Sequence, residues 1–139
     1  MQKVAVDILK KHEGKRLKLY ECPAGKLTIG YGHNIEDNGI SNAVAELMLQ
    51  EDIEAAEREA RMAFDFFGDL SPVRQSVLIM MIFNMGLPRL LGFKKMIMAL
   101  AQGDHEKASI EMLDSKWARQ VGYRAAELSA MMNFDTFEV

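Results

Sequence analysis

Residues 13–33 read EGKRLKLYECPAGKLTIGYGH, from Glu13 to His33, and no helical periodicity runs through them. Leu17 and Leu19 alternate with charged residues, Pro23 and Gly25 punctuate a turn, and Leu27, Ile29 and Tyr31 alternate with Thr28 and Gly30. Period-two alternation on both sides of a Pro/Gly turn predicts a small β-hairpin. If Cys22 opens the turn, Pro23 takes its second position and Gly25 its fourth, the places where a fixed φ and a missing Cβ are favoured. Cys22 and Thr28 then stand near opposite ends of one hairpin. Glu13 enters from the element before it. A carboxyl beside a hairpin that offers a thiol, a hydroxyl and the His33 imidazole across glycine-rich backbone is suited to general acid or base work.

Upstream, Val4, Ile8 and Leu9 recur at helical spacing and carry a helix over about residues 2–12, with Gly14 where it should stop. Downstream, a polar turn is expected from Asn34 to Gly39. Ser41 then reads as the N-cap of a long helix over about 42–66, whose stripe runs Val44, Leu47, Met48, Ile53, Ala56, Ala60, Phe64 and Phe67. A helix of that length joins two lobes or is kinked part-way. Ser71 and Pro72 form an N-cap and first-turn pair. The seven apolar residues Val77–Phe83 that follow predict a core helix surrounded by others, ending at Gly86 with Pro88 barring continuation. Short helices are expected over Phe93–Ala101, Asp104–Ser115 and Tyr123–Met132. The methionines, Met80, Met81, Met96, Met98 and Met112 among them, read as core packing.

Composition bounds the function. A chain of 139 residues, 49 % hydrophobic and 27 % charged, is one ordinary globular domain. A net charge of -3 gives no sign of general nucleic-acid affinity, and the single cysteine cannot form an internal disulfide. Neither a leader nor an 18-residue apolar run is visible, so no direct membrane insertion is expected. Glu13, Cys22 and His33 could supply three metal ligands, but their spacings match no compact zinc pattern. A cysteine hydrolase built on Cys22 and a histidine has no further motif behind it.

The run HEGKRLKLYECPAGKLTIGYGH closely resembles the signature of the phage-type (T4-like) lysozymes, glycoside hydrolase family 24. FNMGLPRLLGF, Phe83 to Phe93, and SKWARQVGYR, Ser115 to Arg124, continue the resemblance in the same order. The resemblance implies an α+β lysozyme-like fold within one domain, 1–139. A small N-terminal lobe, about 13–45, with a short hairpin or sheet would be joined by the 42–66 helix to an all-helical C-terminal lobe, about 71–139, on which helix 2–12 packs. It implies a muramidase that cuts the β-1,4 bond between N-acetylmuramic acid and N-acetylglucosamine in peptidoglycan, with inversion and with no cofactor or metal.

Carried over by position, Glu13 falls on the family's catalytic acid and Thr28 on the threonine that holds the attacking water. Cys22 falls where many members carry a catalytic aspartate, so a thiol must either ionise to act as base or serve to place the water. His33 closes the motif and is expected to brace the hairpin or Glu13. Tyr20 and Tyr31 are either core residues or walls of the sugar site. Asn84 is either a helix-end residue or a hydrogen-bond partner for an N-acetyl group. Trp117 is read as core, and Arg124 as a partner for Glu13 or a nearby carboxylate. The implied partner is the peptidoglycan glycan strand, reached by a monomer that accumulates in the host cytoplasm, needs a holin for export, and acts in the periplasm or on the wall. Two alternatives share these residues: a lytic transglycosylase on the same bond, and a catalytically impaired peptidoglycan-binding phage protein.

Overall fold

The computed structural model describes residues 3–139, so the expected helix start at residue 2 lies outside the described residues. The chain divides into two compact units, Met1–Met48 and Leu49–Val139. The first unit opens with α1 (Lys3–Glu13). Gly14, at φ +70°, donates its N–H to the Lys10 carbonyl and ends the helix as the sequence predicts. Strands β1 (Arg16–Glu21), β2 (Leu27–Gly30) and β3 (His33–Asn34) form an antiparallel sheet in the order β1-β2-β3.

The β1–β2 turn is the one read from CPAG. The Gly25 N–H donates to the Cys22 carbonyl at 2.8 Å, the Cys22 N–H donates to the Lys26 carbonyl at 2.9 Å, and Gly25 takes φ +79°. Tyr20 lies opposite Thr28 and Arg16 opposite Gly30, so Leu17, Lys18 and Leu19 together face the single residue Ile29. An irregularity of this kind bows β1 locally. Leu17 and Leu19, which lie within it, are both exposed.

The segment expected as a polar turn after His33 contains β3 and then a one-turn helix, α2 (Ile35–Asn38). Asn34 caps it by accepting from the Asp37 N–H, and Lys26 pairs with Glu36 and Asp37, which ties α2 to the sheet. The local Asx cap is strong enough to fold a stretch whose length suggested only a turn.

Helix α3 (Asn42–Ala63) begins at the predicted cap, where Ser41 Oγ accepts from the Val44 N–H at 3.2 Å. The boundary between units falls inside it, after Met48. It ends at Ala63, short of the expected 66, because a tighter path follows. Phe67, Asp69 and Leu70 donate to the carbonyls three residues back, forming a 3-10 turn over Phe67–Asp69. A period of three places Phe64, Phe67 and Leu70 on one face, and all three are buried.

The second unit continues with α4 (Pro72–Met85), α5 (Leu87–Leu90), α6 (Lys94–Ala101), α7 (His105–Leu113), α8 (Lys116–Val121) and α9 (Tyr123–Phe134). The Ser71–Pro72 start of α4 is as predicted, with Ser71 Oγ accepting from the Arg74 N–H. Its surroundings are not. Val77, Leu78, Met81 and Ile82 are buried, but Met80 and Phe83 are exposed, so the apolar run covers one face that packs and one that does not. Helix α4 ends at Gly86 as expected, Pro88 falling in the first turn of the separate α5, and α8, missed from the sequence, is signalled by its N-cap Ser115 and by Gly122 at its end. Met96 and Met112 are core residues as expected; Met98 is exposed.

Every buried apolar side chain among the described residues lies in the second unit. Its largest members, Trp117 and Phe67, each contribute about 1.5–3 kcal/mol or more by leaving water. The architecture is α+β: a small sheet in the first unit and helices alone in the second.

Candidate functional site

Glu13 is the last residue of α1, and its side chain lies against the β2–β3 turn. A Cβ built on Gly32 would stand 2.6 Å from Glu13 Oε2 and 2.9 Å from its Cδ, so only glycine leaves the carboxyl this seat. Gly32 also takes φ +71°, which suits a residue without Cβ. The neighbouring Lys10 ammonium stands 5.5 Å from the centre of the Tyr31 ring, a second contact between the end of α1 and the same turn. Tyr31 is exposed and Tyr20 half-buried under the Arg16 guanidinium at 4.5 Å; neither is a core residue.

Cys22 opens the hairpin turn and is half-buried. Its thiol is held below the ordinary thiol range, first by a hydrogen bond from the Lys26 backbone N–H, then by the Ala24 N–H, the Thr28 hydroxyl and its own N–H, with burial opposing them. Donors converging on one sulfur favour the thiolate, since each bond strengthens when the acceptor is charged. Thr28 is 2 % exposed, and its hydroxyl stands 2.9 Å from the Lys26 carbonyl. One hydroxyl proton thus has two acceptors, the carbonyl and the sulfur. Lys26, which sequence reasoning missed, accepts the Thr28 hydroxyl on its carbonyl and, through its backbone N–H, is the main influence holding the Cys22 thiol down.

His33 braces the loop it begins. Its Nε2 lies 2.6 Å from the Gly39 carbonyl, which can only accept, so Nε2 carries the proton and the ring fastens the end of α2 to β3. The bond goes to the far end of α2, and not to the hairpin or Glu13, the partners expected from the sequence.

In the second unit Trp117 is 1 % exposed, packed edge-on against Phe93 at 6.2 Å, and its indole N–H donates to Asn84 Oδ1 at 2.7 Å. The core reading of Trp117 holds. The bond also fixes which end of the Asn84 amide faces outward: the oxygen is taken, so the NH2 is presented. Asn84 and Arg124 line one cavity of about 320 Å³ together with Met80, Phe83, Glu127, Leu128 and Met131. Phe83 and Glu127 were not picked out from sequence, although one adjoins Asn84 and the other follows Arg124 by three helical positions. Arg124 is exposed in the first turn of α9 and makes no ion pair among the described residues. A larger cavity of about 460 Å³, lined by Arg89, Lys94, Lys95, Glu111 and Asp114 among others, contains none of the expected site residues. Among the described residues no group of His, Cys, Asp and Glu is placed to hold a metal ion.

The sequence model of the phage lysozymes matches residues 10–133, a span that runs from α1 through α9. The chain belongs to the phage lysozyme family. An endolysin of Acyrthosiphon pisum secondary endosymbiont phage 1 is 34 % identical over 116 residues, covering 81 % of this chain and 75 % of the relative. Two probable T4-type lysozymes of Dictyostelium discoideum are each 24 % identical, over 161 and 159 aligned residues, covering 95 % and 94 % of both partners respectively. As a phage lysozyme the chain is a glycoside hydrolase of the muramidase type, with peptidoglycan as its substrate. The matched span includes Glu13, Gly32, Cys22 and Thr28.

Proposed function

We propose that this lysozyme hydrolyses the β-1,4 bond between N-acetylmuramic acid and N-acetylglucosamine, with Glu13 as general acid and Cys22 as the group that orders and deprotonates water. The observation that carries the reading is the seat of Glu13: a carboxyl held over Gly32, in the same small unit as the half-buried Cys22 thiol. Glu13 protonates the leaving oxygen as positive charge develops at the sugar carbon. Water then attacks the opposite face, and the product inverts. Cys22 takes the part usually played by a second carboxylate, and its lowered thiol range raises the fraction able to accept a proton near neutral pH. Thr28, buried beside the sulfur, acts through it: rotating the hydroxyl from the Lys26 carbonyl toward the thiolate favours the charged form.

Asn84 and Arg124 extend the reading to substrate binding. The outward amide of Asn84 suits an acetamido carbonyl, and the unpaired guanidinium suits a carboxylate of the wall polymer. In its setting the enzyme would serve host lysis, accumulating as a monomer in the cytoplasm and reaching the wall once a holin has opened the membrane. Expression without a membrane lesion should then leave cells intact, and lysis in its absence would refute that route.

The decisive experiment is turnover of purified peptidoglycan with identification of the new sugar ends and of the first-formed anomer. A free reducing muramic acid end released as the α-anomer is expected. A 1,6-anhydro end would make the enzyme a transglycosylase, and a β-anomer would remove the inverting mechanism.

A further inference from the structure

Charge is unevenly spread along this chain. Between Lys3 and Lys26 seven lysines and arginines stand against three carboxylates, while the remainder holds ten against seventeen, giving the net -3. Within the basic stretch, β1 is the edge strand of its sheet, and its bowed segment presents Leu17 at 79 % and Leu19 at 57 % exposure. Lys15, Arg16 and Lys18 interleave with these leucines and are exposed. Lys15 and Lys18 make no ion pair among the described residues, and Arg16 lies over Tyr20.

A bulge and a run of lysines on a sheet edge have an ordinary explanation, since both keep another strand from pairing there. That explanation does not account for the leucines. An edge protected only against pairing has no use for two large apolar side chains held in water within the same irregular segment. Cations flanking protruding leucines have the chemistry of a surface that adsorbs to an anionic bilayer, with ammonium groups at the phosphates and apolar tips at the acyl boundary. A wall polyanion would satisfy the cations alone and leave the leucines without a partner. No described helix is long and apolar enough to cross a membrane, so the contact is adsorption, not insertion.

We propose that the bowed edge strand, Lys15 to Leu19, is a docking surface for anionic phospholipid. It is separate from the hydrolytic reading, because none of these five residues has a part in the chemistry assigned to Glu13, Cys22 or Thr28. The test is co-sedimentation with phosphatidylglycerol/phosphatidylcholine vesicles, against phosphatidylcholine alone, with thermal midpoints measured for each variant. Binding is expected to the anionic vesicles only, and to be lost at roughly 0.5 M salt, where the screening length falls to a few ångströms. K15Q/K18Q should weaken it by about fivefold per lysine removed. L17S/L19S should weaken it at least about tenfold at unchanged lysine content, with the fold and peptidoglycan turnover retained. Equal binding to neutral vesicles, no binding to either, or anionic binding indifferent to L17S/L19S would each overturn the proposal, the last by reducing it to attraction of any polyanion.

Discussion

Gly32 decides where the Glu13 carboxyl can be, and that makes it the most informative residue to change next to the acid itself. Glu13→Gln should keep the fold and lose at least about 10²-fold in turnover, because an amide is far too weak an acid to protonate a leaving oxygen. Gly32→Ala should cost about 1–2 kcal/mol for its left-handed φ and displace the carboxyl it would collide with, lowering turnover while the acid is still present. Reducing-end release from purified wall, with circular dichroism on each variant, checks both; an active E13Q would remove the acid from its role. At Cys22 the expected order of turnover is C22D above C22S above C22A, as basicity and then water placement are withdrawn. The thiol's lowered range fixes the sign of its pH effect: the thiolate forms at lower pH than an unperturbed cysteine, for which about 8.5 is usual. Alkylation rate against pH should therefore reach its midpoint at lower pH than that of a cysteine in an unfolded peptide of the same sequence, and C22D should move the basic limb of activity into the carboxylate region. If C22A matched the parent across pH 5 to 9, roughly the span in which a thiol and a carboxylate are told apart, Cys22 would be a turn residue only.

Among the elements, the ends of α4 and α9 are joined through one side chain. Arg74 donates to the Met132 carbonyl at 2.7 Å and to the Asn133 carbonyl at 3.1 Å, and lies 3.6 Å from Asp135, whose carboxylate also takes the Ser71 hydroxyl. Since Arg74 is largely buried and its acceptors are last-turn carbonyls, Arg74→Met should destabilise the second unit by about 2–4 kcal/mol. Urea denaturation measures it, and a loss below the error of the fit would show that water replaces the guanidinium. His105, at the start of α7, is pushed below the ordinary imidazole range by burial first and by the Arg74 charge next, with Asp135 and Asp104 pulling the other way. The unfolded chain then takes up a proton that the folded chain resists. Stability should fall as pH drops through about 6.5, the ordinary imidazole value, and H105Q should flatten that part of the profile. The elements themselves were legible to different degrees. The hairpin, α1, the cap of α3 and α4 followed from Gly14, CPAG, Ser41 and Ser71–Pro72, where one residue type dictates one backbone geometry. The early end of α3 and the exposed face of α4 did not, because the spacing of Phe64, Phe67 and Leu70 suits a period of three as well as 3.6, and a run of apolar residues does not say which of its sides has a neighbour. The site shows the same division: Glu13, Cys22 and Thr28 stood out by type and spacing, whereas Lys26 acts through its backbone and carries no side-chain signal.

Across the whole molecule, the two units differ in what holds them. The second owns the buried apolar core, while the only residue of the first that is fully buried among those described is Thr28. Hydrogen exchange should accordingly find the α1 and β1 amides opening at free energies well below those of α4, α7 and α9. Uniform protection across both units would show that they unfold together. The single tryptophan lies entirely on one side of this difference. Trp117 is therefore an optical probe of the helical unit alone: its emission will stay that of a buried indole while the sheet melts, and far-ultraviolet dichroism will record the melting. Two denaturation curves that fail to superimpose would then be the signature of the architecture, not of a damaged sample. With Asn84 as the indole's acceptor, the same emission also senses any ligand that draws on that amide, which gives the chain an intrinsic titration signal at the rim of its Asn84–Arg124 cavity.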